Sequence, residues 1–225
     1  MKIRELHGWD LSPKEAVALQ RQLAGKISLN KFHGSVNLVA GVDCAFTDAG
    51  KTILCCCCVV DIANFETIET VRTKLPVNFP YVPGLLSFRE APVCIKALRL
   101  LKTLPDAVIF DGQGIAHPRR LGLAAHIGLL LNIPTVGCAK SRLCGEYREP
   151  GPSKGQSCPL LQKGEPTGKV LRTRDNVRPV FVSPGNNCSI DDAAKITLAC
   201  CSKYRLPEPT RRADKLVAEF KKNIS

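Results

Sequence analysis

Asp111 is the acid in this sequence around which a reactive site is most readily built. The apolar run 107–110 before it has the length and composition of a buried parallel strand, and Gly-Gln-Gly follows it. In open α/β sheets, sites lie at the carboxyl ends of strands, and flanking glycines let a ligand approach closely. Because an isolated Asp-Gly pair is more often an ordinary turn, partners elsewhere in the chain must decide between the two interpretations.

Two further acids occupy positions from which they could meet Asp111. Asp43 lies in the strand-like segment 37–46, and Glu90 lies near the start of a predicted helix. If the first and fourth strands are neighbours, three carboxylates gather at one sheet edge, where they repel one another unless a divalent cation lies between them. Hard oxygen ligands select Mg²⁺, for which we expect Mn²⁺ to substitute, rather than zinc. From the residues alone, three unrelated surface acids explain the pattern equally well.

A site of this kind predicts phosphodiester chemistry. Mg²⁺ held by a few carboxylates keeps its waters and accepts phosphate oxygens, so it polarises a phosphodiester and generates hydroxide near neutral pH. Lys140 ends the next predicted strand, 134–139, and is placed to orient the water or to offset charge on the phosphate.

The composition is that of a globular protein with a polyanionic partner. The formal charge is +12 and the isoelectric point is near 9.3, an excess that favours nucleic acid binding. A length of 225 residues with 44% hydrophobic residues predicts a single domain, 1–225. No apolar run approaches the roughly 20 residues that span a bilayer, and the charged start is unlike a signal peptide. We therefore expect a cytoplasmic protein with no membrane partner.

Twelve cysteines are present, but their spacing favours neither disulfides nor a metal site. The chain is too long and too apolar to need a disulfide scaffold. Cys55 to Cys58 are consecutive, and neighbouring strand residues point to opposite faces, so these four cannot surround one metal ion. They are predicted to be small buried residues of a central strand.

The order of elements predicts an α/β fold with a mixed sheet. A capping box at Ser12 and Glu15 opens a helix that runs to about Lys26. Three strands joined by short turns form an antiparallel meander, and two later strands, reached through helices, are parallel because of the connection lengths. The five strands are predicted at residues 37–46, 51–62, 67–75, 107–110 and 134–139.

Proline and glycine positions assign the remaining segments. Three prolines make residues 76–84 an exposed loop. A helix is predicted in the stretch 85–103, where Pro92 implies either an irregular first turn or a helix proper that starts at about Ala91. Residues 141–168 are predicted to be a long loop that carries substrate contacts. A final hairpin is predicted at 169–173 and 178–183, and further helices at 121–131, 191–201 and 211–222.

Four segments closely resemble the endonuclease V family: PYVPGLLSFRE, DGQGIAHPRRLGLAAHIGLL, VGCAKSRLCG and YRLPEPTRRAD. They follow one another in order and extend over nearly the whole chain. The resemblance implies a ribonuclease H-like fold, a Mg²⁺-dependent active site and recognition of deaminated bases in DNA, chiefly deoxyinosine. It also implies cleavage at the second phosphodiester 3′ to the lesion, which leaves 3′-hydroxyl and 5′-phosphate ends. We expect a monomer.

The resemblance assigns roles to individual residues. Asp43, Glu90 and Asp111 correspond to the metal-binding carboxylates and Lys140 to the active-site lysine. Asp214 stands where some family members have a histidine, so its supporting role is an open question, as are those of His117 and Asp191. The wedge that enters the duplex corresponds to Pro80, Tyr81, Val82 and Pro83, and the pocket for the flipped base to Gly84, Leu86, Gly112, Gly122 and Leu143.

Two other functions are compatible with these motifs. The first is an inosine-specific endoribonuclease, because the same metal chemistry serves either backbone and discrimination at the 2′-hydroxyl is not legible in the motifs. The second is a non-catalytic binder of lesions. The three acids argue against that second alternative, because a pure binder has no need to crowd carboxylates beside phosphates.

Overall fold

The structure is a computed structural model, and it describes residues 1–224. One eight-stranded sheet, in the order β3-β2-β1-β4-β5-β8-β7-β6, is flanked by five helices. The strands are β1 Leu38–Thr47, β2 Thr52–Asp61, β3 Thr67–Pro76, β4 Ala107–Phe110, β5 Thr135–Ala139, β6 Ser157–Gln162, β7 Glu165–Leu171 and β8 Val180–Asn186. The helices are α1 Pro13–Ala24, α2 Leu86–Leu100, α3 Leu123–Leu130, α4 Ile190–Ala199 and α5 Glu208–Lys222.

The centre of the sheet brings the first and fourth strands together. β1 pairs antiparallel with β2 and parallel with β4, with Val42 opposite Phe110. The next residues along these strands are Asp43 and Asp111, and the Asp111 backbone N–H donates to the Val42 carbonyl at 3.3 Å. The predicted mixed sheet, with an antiparallel meander followed by parallel strands, is confirmed.

β2 is buried on both faces because α2 covers one and α5 the other. Cys55 and Cys57 pack in the cluster that includes α2, whereas Cys56 and Cys58 pack against residues of α5. All four are fully buried, as the sequence predicts for a central strand.

Helix α5 lies unusually close to β1 at Gly41. A Cβ atom at this position would lie 2.0 Å from the backbone carbonyl carbon of Pro209, so only glycine permits the contact. The helix starts at Glu208, three residues earlier than predicted, and the buried Glu208 carboxylate pairs with Arg211 and Arg212. These two arginines therefore stabilise the start of the helix.

α2 begins at Leu86, so of the two predicted alternatives the start at Ala91 is wrong, and Pro92 lies inside the helix. An interior proline costs about 3 kcal/mol, but Ser87 and Phe88 in the preceding turn are buried, and burial of a phenylalanine contributes about 1.5–3 kcal/mol. Glu90 consequently lies in the second turn of α2.

The long loop predicted at 141–168 is wrong, because this segment contains β6 and the start of β7. β6 is an edge strand with Pro159 in it and only Leu160 fully buried, so its sequence lacks the apolar alternation by which strands are recognised.

The predicted capping box of α1 is present, with the Ser12 and Glu15 side chains and backbones bonded reciprocally. Within residues 1–224, no helix is long and apolar enough to cross a membrane.

Candidate active site

Three acidic side chains line one small cavity at the ends of the central strands. Asp43, Glu90 and Asp111 contribute to a cavity of about 220 Å³, which we call the carboxylate cavity. Asp43 comes from β1, Asp111 follows β4, and Glu90 comes from α2, which covers the sheet edge. Parallel pairing of β1 with β4 accounts for the first two positions, and early initiation of α2 accounts for the third.

Burial and neighbouring negative charge disfavour the ionised forms of two of these acids, Asp43 and Glu90. Burial, followed by the charge of Asp111, raises the pKa of Asp43 to about 8. Burial, followed by the charges of Cys44, Asp43 and Asp111, raises the pKa of Glu90 well above its usual range. Each shift disfavours the ionised carboxylate, and a bound divalent cation would reverse that preference.

Lys140 and Asp214 complete the charged edge. The Lys140 ammonium lies 2.6 Å from Asp111 Oδ2 and 3.9 Å from Asp214 Oδ1. Burial alone would lower the pKa of Lys140, but the hydrogen bond and charge of Asp111 outweigh it and the net shift is upward. Lys140 is therefore a cation at neutral pH, suited to offsetting negative charge rather than to accepting a proton. Asp214 also contributes to the raised pKa of Asp43, so α5 forms part of the same edge.

A larger cavity of about 450 Å³ adjoins the first, and we call it the glycine-rich cavity. It shares Asp111, Leu86 and Leu123 with the carboxylate cavity. All five residues predicted for the base pocket line it, and so do Tyr81, Val82, Pro83, His117 and Lys140. Leu86 and Leu143 are 43% and 53% exposed, so two apolar side chains remain open to a ligand.

The predicted wedge projects from a firmly packed base. Tyr81 is 72% exposed, and Pro80 and Pro83 on either side are also exposed. The preceding residue, Phe79, is buried against Phe88 with ring centroids 5.6 Å apart. The prolines limit backbone freedom, so an exposed aromatic ring is presented on a stiff loop.

The wedge loop ends at Gly84, which is held by donors from distant parts of the chain. Its carbonyl accepts hydrogen bonds from Gln20 Nε2 at 3.0 Å and Arg119 Nη2 at 2.7 Å. Gly84 has φ +78°, which favours glycine, and a Cβ atom there would lie 2.5 Å from Arg119 Nη2 and displace the guanidinium that donates to the Gly84 carbonyl. Gln20 also donates to the Leu121 carbonyl at 2.7 Å, which ties the loop to the start of α3.

His117 is buried in the wall of the glycine-rich cavity. Burial, followed by the charge of Arg119, lowers its pKa to about 4, although a hydrogen bond with the Gly84 backbone acts in the opposite direction. The backbone N–H of Arg119 donates to His117 Nδ1 at 3.2 Å. The ring is therefore neutral at pH 7 with its proton on Nε2.

Asp191 is the one predicted residue whose contacts lead away from this edge. Its carboxylate lies 2.5 Å from the Lys169 ammonium on β7, four places from β1 in the sheet order. It also lies in the first turn of α4, where an acid is stabilised by the helix dipole. These two contacts account for an acid at position 191, so a role in catalysis is not needed to explain it.

Comparison with known proteins places the chain in a family. The sequence profile of the family named Endonuclease V matches residues 21–215. An endonuclease V from Kosmotoga olearia is 49% identical over 224 residues, which are 99% of this chain and 98% of that protein. This chain belongs to the endonuclease V family. It is accordingly a nuclease, as the resemblance of its motifs implied.

Solved structures of endonuclease V proteins share the fold. The crystal structure of the Streptomyces avermitilis endonuclease V has a TM-score of 0.92 at 41% identity, with 96% of each chain covered. A Ciona intestinalis endonuclease V (D234N) has a TM-score of 0.85 at 29% identity, with 96% of this chain and 100% of that chain covered. The Ciona protein was crystallised with a 23mer DNA that contains an inosine followed by a ribo-adenosine.

Several residues that shape the endonuclease V site could not be found from the motifs. Gln20 and Arg119 anchor Gly84, and Ser87, which lines the glycine-rich cavity, hydrogen-bonds to His126 Nδ1 at 3.0 Å. Arg205 donates to the Lys140 carbonyl at 2.7 Å and so fixes the segment that carries the lysine. The only sequence signal for these residues is their polar character within apolar segments, which predicts a buried hydrogen bond but not its partner.

Proposed function

We propose that this endonuclease V is a Mg²⁺-dependent enzyme that cleaves DNA containing deaminated bases, chiefly deoxyinosine. Cleavage takes place at the second phosphodiester 3′ to the lesion and leaves a 3′-hydroxyl and a 5′-phosphate. The observation that carries the proposal is the contact between the two cavities at Asp111. A ligand in the glycine-rich cavity places its attached backbone beside the carboxylates.

The base site follows from the walls of the glycine-rich cavity. Gly84, Gly112 and Gly122 line this cavity and place backbone polar groups where the edge of a purine would lie, while Leu86 and Leu143 provide apolar contact. Tyr81 stacks in the gap that the flipped nucleotide leaves in the duplex. Hypoxanthine pairs weakly, so its extrusion costs less than that of an undamaged base and selectivity results.

The phosphate site follows from the carboxylate cavity. Asp43, Glu90 and Asp111 supply hard oxygen ligands, which fits Mg²⁺, with Mn²⁺ as a substitute. Burial and neighbouring negative charge raise the pKa values of Asp43 and Glu90, and a bound cation would favour their ionised forms. Bound there, the metal ion supplies Lewis acidity and a nucleophile at neutral pH. Lys140, which stays protonated, donates to the negative charge that develops on the phosphate. Asp214, 3.9 Å from the same ammonium, is a second negative charge that favours this position of Lys140.

The test is cleavage of end-labelled DNA with a single deoxyinosine, in Mg²⁺ and in EDTA. We expect one cut one nucleotide beyond the lesion in Mg²⁺ and none in EDTA. The matched control is the same duplex with adenine at that position. Cutting in EDTA at an equal rate contradicts the metal site, and equal cutting of the adenine duplex contradicts the base site.

An inosine-specific endoribonuclease is the second candidate function. It is favoured by the Ciona complex, in which the DNA carries a ribo-adenosine after the inosine. Matched RNA with one inosine, assayed beside the DNA, decides between the two: cutting of RNA alone selects the second candidate. Tight inosine-specific binding without cutting of either substrate would show a non-catalytic binder.

A further inference from the structure

Three cysteines from separate elements converge beside the carboxylate cavity. Cys44 on β1 is directly opposite Cys55 on β2 in the antiparallel register, and Cys94 on α2 covers the pair. The Sγ atoms of Cys44 and Cys94 are 3.4 Å apart, and all three Sγ atoms lie within 4.8 Å of one another. All three are free thiols.

This cluster has the dimensions of a soft-metal site. Zn²⁺ binds thiolate sulfur at about 2.3 Å, so three sulfurs around one ion lie about 4 Å from each other, within the spread found here. Among residues 1–224, these are the one group of three such ligand side chains whose atoms all lie within 4.8 Å of one another. The carboxylates of Asp43, Glu90 and Asp111 are spaced more widely, as suits a Mg²⁺ ion that keeps several waters.

The carboxylate cavity gives a cation access to the three thiols and also contains a possible fourth ligand. Cys55 and Cys94 are fully buried, but Cys44 is half-buried, and Cys44 and Cys94 both line the carboxylate cavity. Glu90 lies four residues before Cys94 on α2, on the same side of the helix, and lines the same cavity. A site with three protein ligands leaves the fourth position for a carboxylate or water.

We infer that Cys44, Cys55 and Cys94 form a binding site for one thiophilic divalent cation of the Zn²⁺ or Cd²⁺ type. Thiolate sulfur selects such ions over Mg²⁺ and Mn²⁺, so this site and the carboxylates differ in the metal they prefer. The cation displaces the thiol protons on binding, and its charge offsets that of the buried thiolates. The assignment does not depend on the proposed Mg²⁺-dependent cleavage of deoxyinosine DNA.

The test is titration of the reduced, metal-free chain with Cd²⁺, followed by the ultraviolet charge-transfer absorption of cadmium–thiolate bonds. We expect one equivalent to bind with this absorption and excess Mg²⁺ to leave it unchanged. Cys94→Ala and Cys44→Ser should each weaken the affinity at least tenfold. Cys44→Ser changes a half-buried residue with little loss of volume, so it keeps the test valid if the Cys94 variant fails to fold.

The matched control is Cys57→Ala. Cys57 is as fully buried as Cys55 and lies on the same face of β2, but it is not part of the cluster. This variant should retain the wild-type cadmium absorption and affinity. If Cd²⁺ gives no thiolate absorption, or if the Cys44 and Cys57 variants bind it equally well, the inference is wrong. Binding that is lost only on Asp111→Asn would assign the ion to the carboxylates and would also overturn it.

Discussion

The carboxylate cavity and the glycine-rich cavity share three residues, yet their walls differ in chemistry and in how they are held. The first is lined by three carboxylates, and burial and neighbouring negative charge raise the pKa values of two of them, Asp43 and Glu90. The second is lined mostly by uncharged residues, among them three glycines and four leucines, and hydrogen bonds from Gln20 and Arg119 hold Gly84 in its wall. Charge in one cavity and shape in the other imply that catalysis and recognition can be disrupted separately.

The largest expected effect comes from a substitution in the carboxylate cavity. Asp111→Asn removes a ligand charge shared by both cavities while keeping the shape of the side chain. We expect cleavage of deoxyinosine DNA to fall at least about a thousandfold, equivalent to about 4 kcal/mol, with binding of the lesion largely retained. Single-turnover cleavage and a binding titration measure the two quantities. A variant that cuts at near the wild-type rate in Mg²⁺ would refute the metal site.

Lys140→Met tests the cation that faces this carboxylate. Loss of one preorganised donor to developing charge costs about 10²-fold in rate, and we expect that decrease in the single-turnover rate with little change in lesion affinity. Arg205 holds the Lys140 backbone, so the segment should stay in place. Lys195→Met, at an exposed position of α4, controls for the loss of one positive charge. Equal rates for the two variants would exclude the proposed role.

Tyr81→Ala tests whether the wedge beside the glycine-rich cavity contributes to binding of the lesion. Stacking of a base on an aromatic ring contributes about 1–3 kcal/mol, so affinity for deoxyinosine DNA should fall roughly fivefold to a hundredfold. The rate at saturating enzyme should change far less. Tyr81→Phe keeps the ring and should restore binding. An effect confined to the saturated rate would assign Tyr81 to the chemical step instead.

The pH dependence of Mg²⁺ binding tests whether the Asp43 carboxylate ionises when the cation binds. Because the pKa of Asp43 is raised from 3.8 to about 8, the folded chain retains a proton that the unfolded chain loses. The stability contributed by protonated Asp43 is fully present below about pH 4 and is lost as pH rises through about 8. A cation favours the ionised form, so the increase in Tm caused by Mg²⁺ should grow between about pH 6 and pH 8.

Thermal unfolding with and without Mg²⁺ measures this increase, and Asp43→Asn should remove most of its pH dependence. If the increase in Tm were equal at both pH values, or shrank with rising pH, Asp43 would not be a ligand that ionises on binding.

The smallest expected effect is that of Asp191→Asn. The Asp191 carboxylate is 69% exposed and pairs with Lys169, and exposed pairs contribute about 0–1 kcal/mol. Cleavage should therefore change less than about threefold, and Tm only slightly. A loss comparable to that of Asp111→Asn would show that the residue supports the metal site after all.

The sequence predicts the sheet and the position of Asp111 because both depend on local pattern and connection length. Apolar runs identify the central strands, and helical crossovers require β4 and β5 to be parallel. The start of α2 and strand β6 are not predictable in this way. In α2, tertiary burial of Phe88 outweighs the local signal of Pro92, and β6 is stabilised by pairing with β7 rather than by a buried face of its own.

The parts of the site that escape prediction depend on contacts distant in sequence. Asp214 is indicated by the family resemblance alone, because it approaches Lys140 and Asp43 only through the packing of α5 on Gly41 and no local pattern near residue 214 predicts that placement. Gln20 reaches Gly84 across 64 residues. The thiol cluster was missed because reasoning from the consecutive cysteines of β2 considers one strand, whereas the cluster takes Cys55 alone from that strand and its two partners from β1 and α2.

Because most of the cysteines are buried, their reaction with a thiol reagent can report local unfolding of the chain. All are buried except Cys44, Cys144 and Cys158, which are half-buried, and the buried set extends from β2 to the C-terminal end of α4. A thiol-alkylating reagent reaches buried sulfur only when the surrounding structure opens, so its rate of reaction at each position reports the free energy of that opening. Mass spectrometry of briefly alkylated protein would thus map regional stability, with no label introduced and no residue replaced.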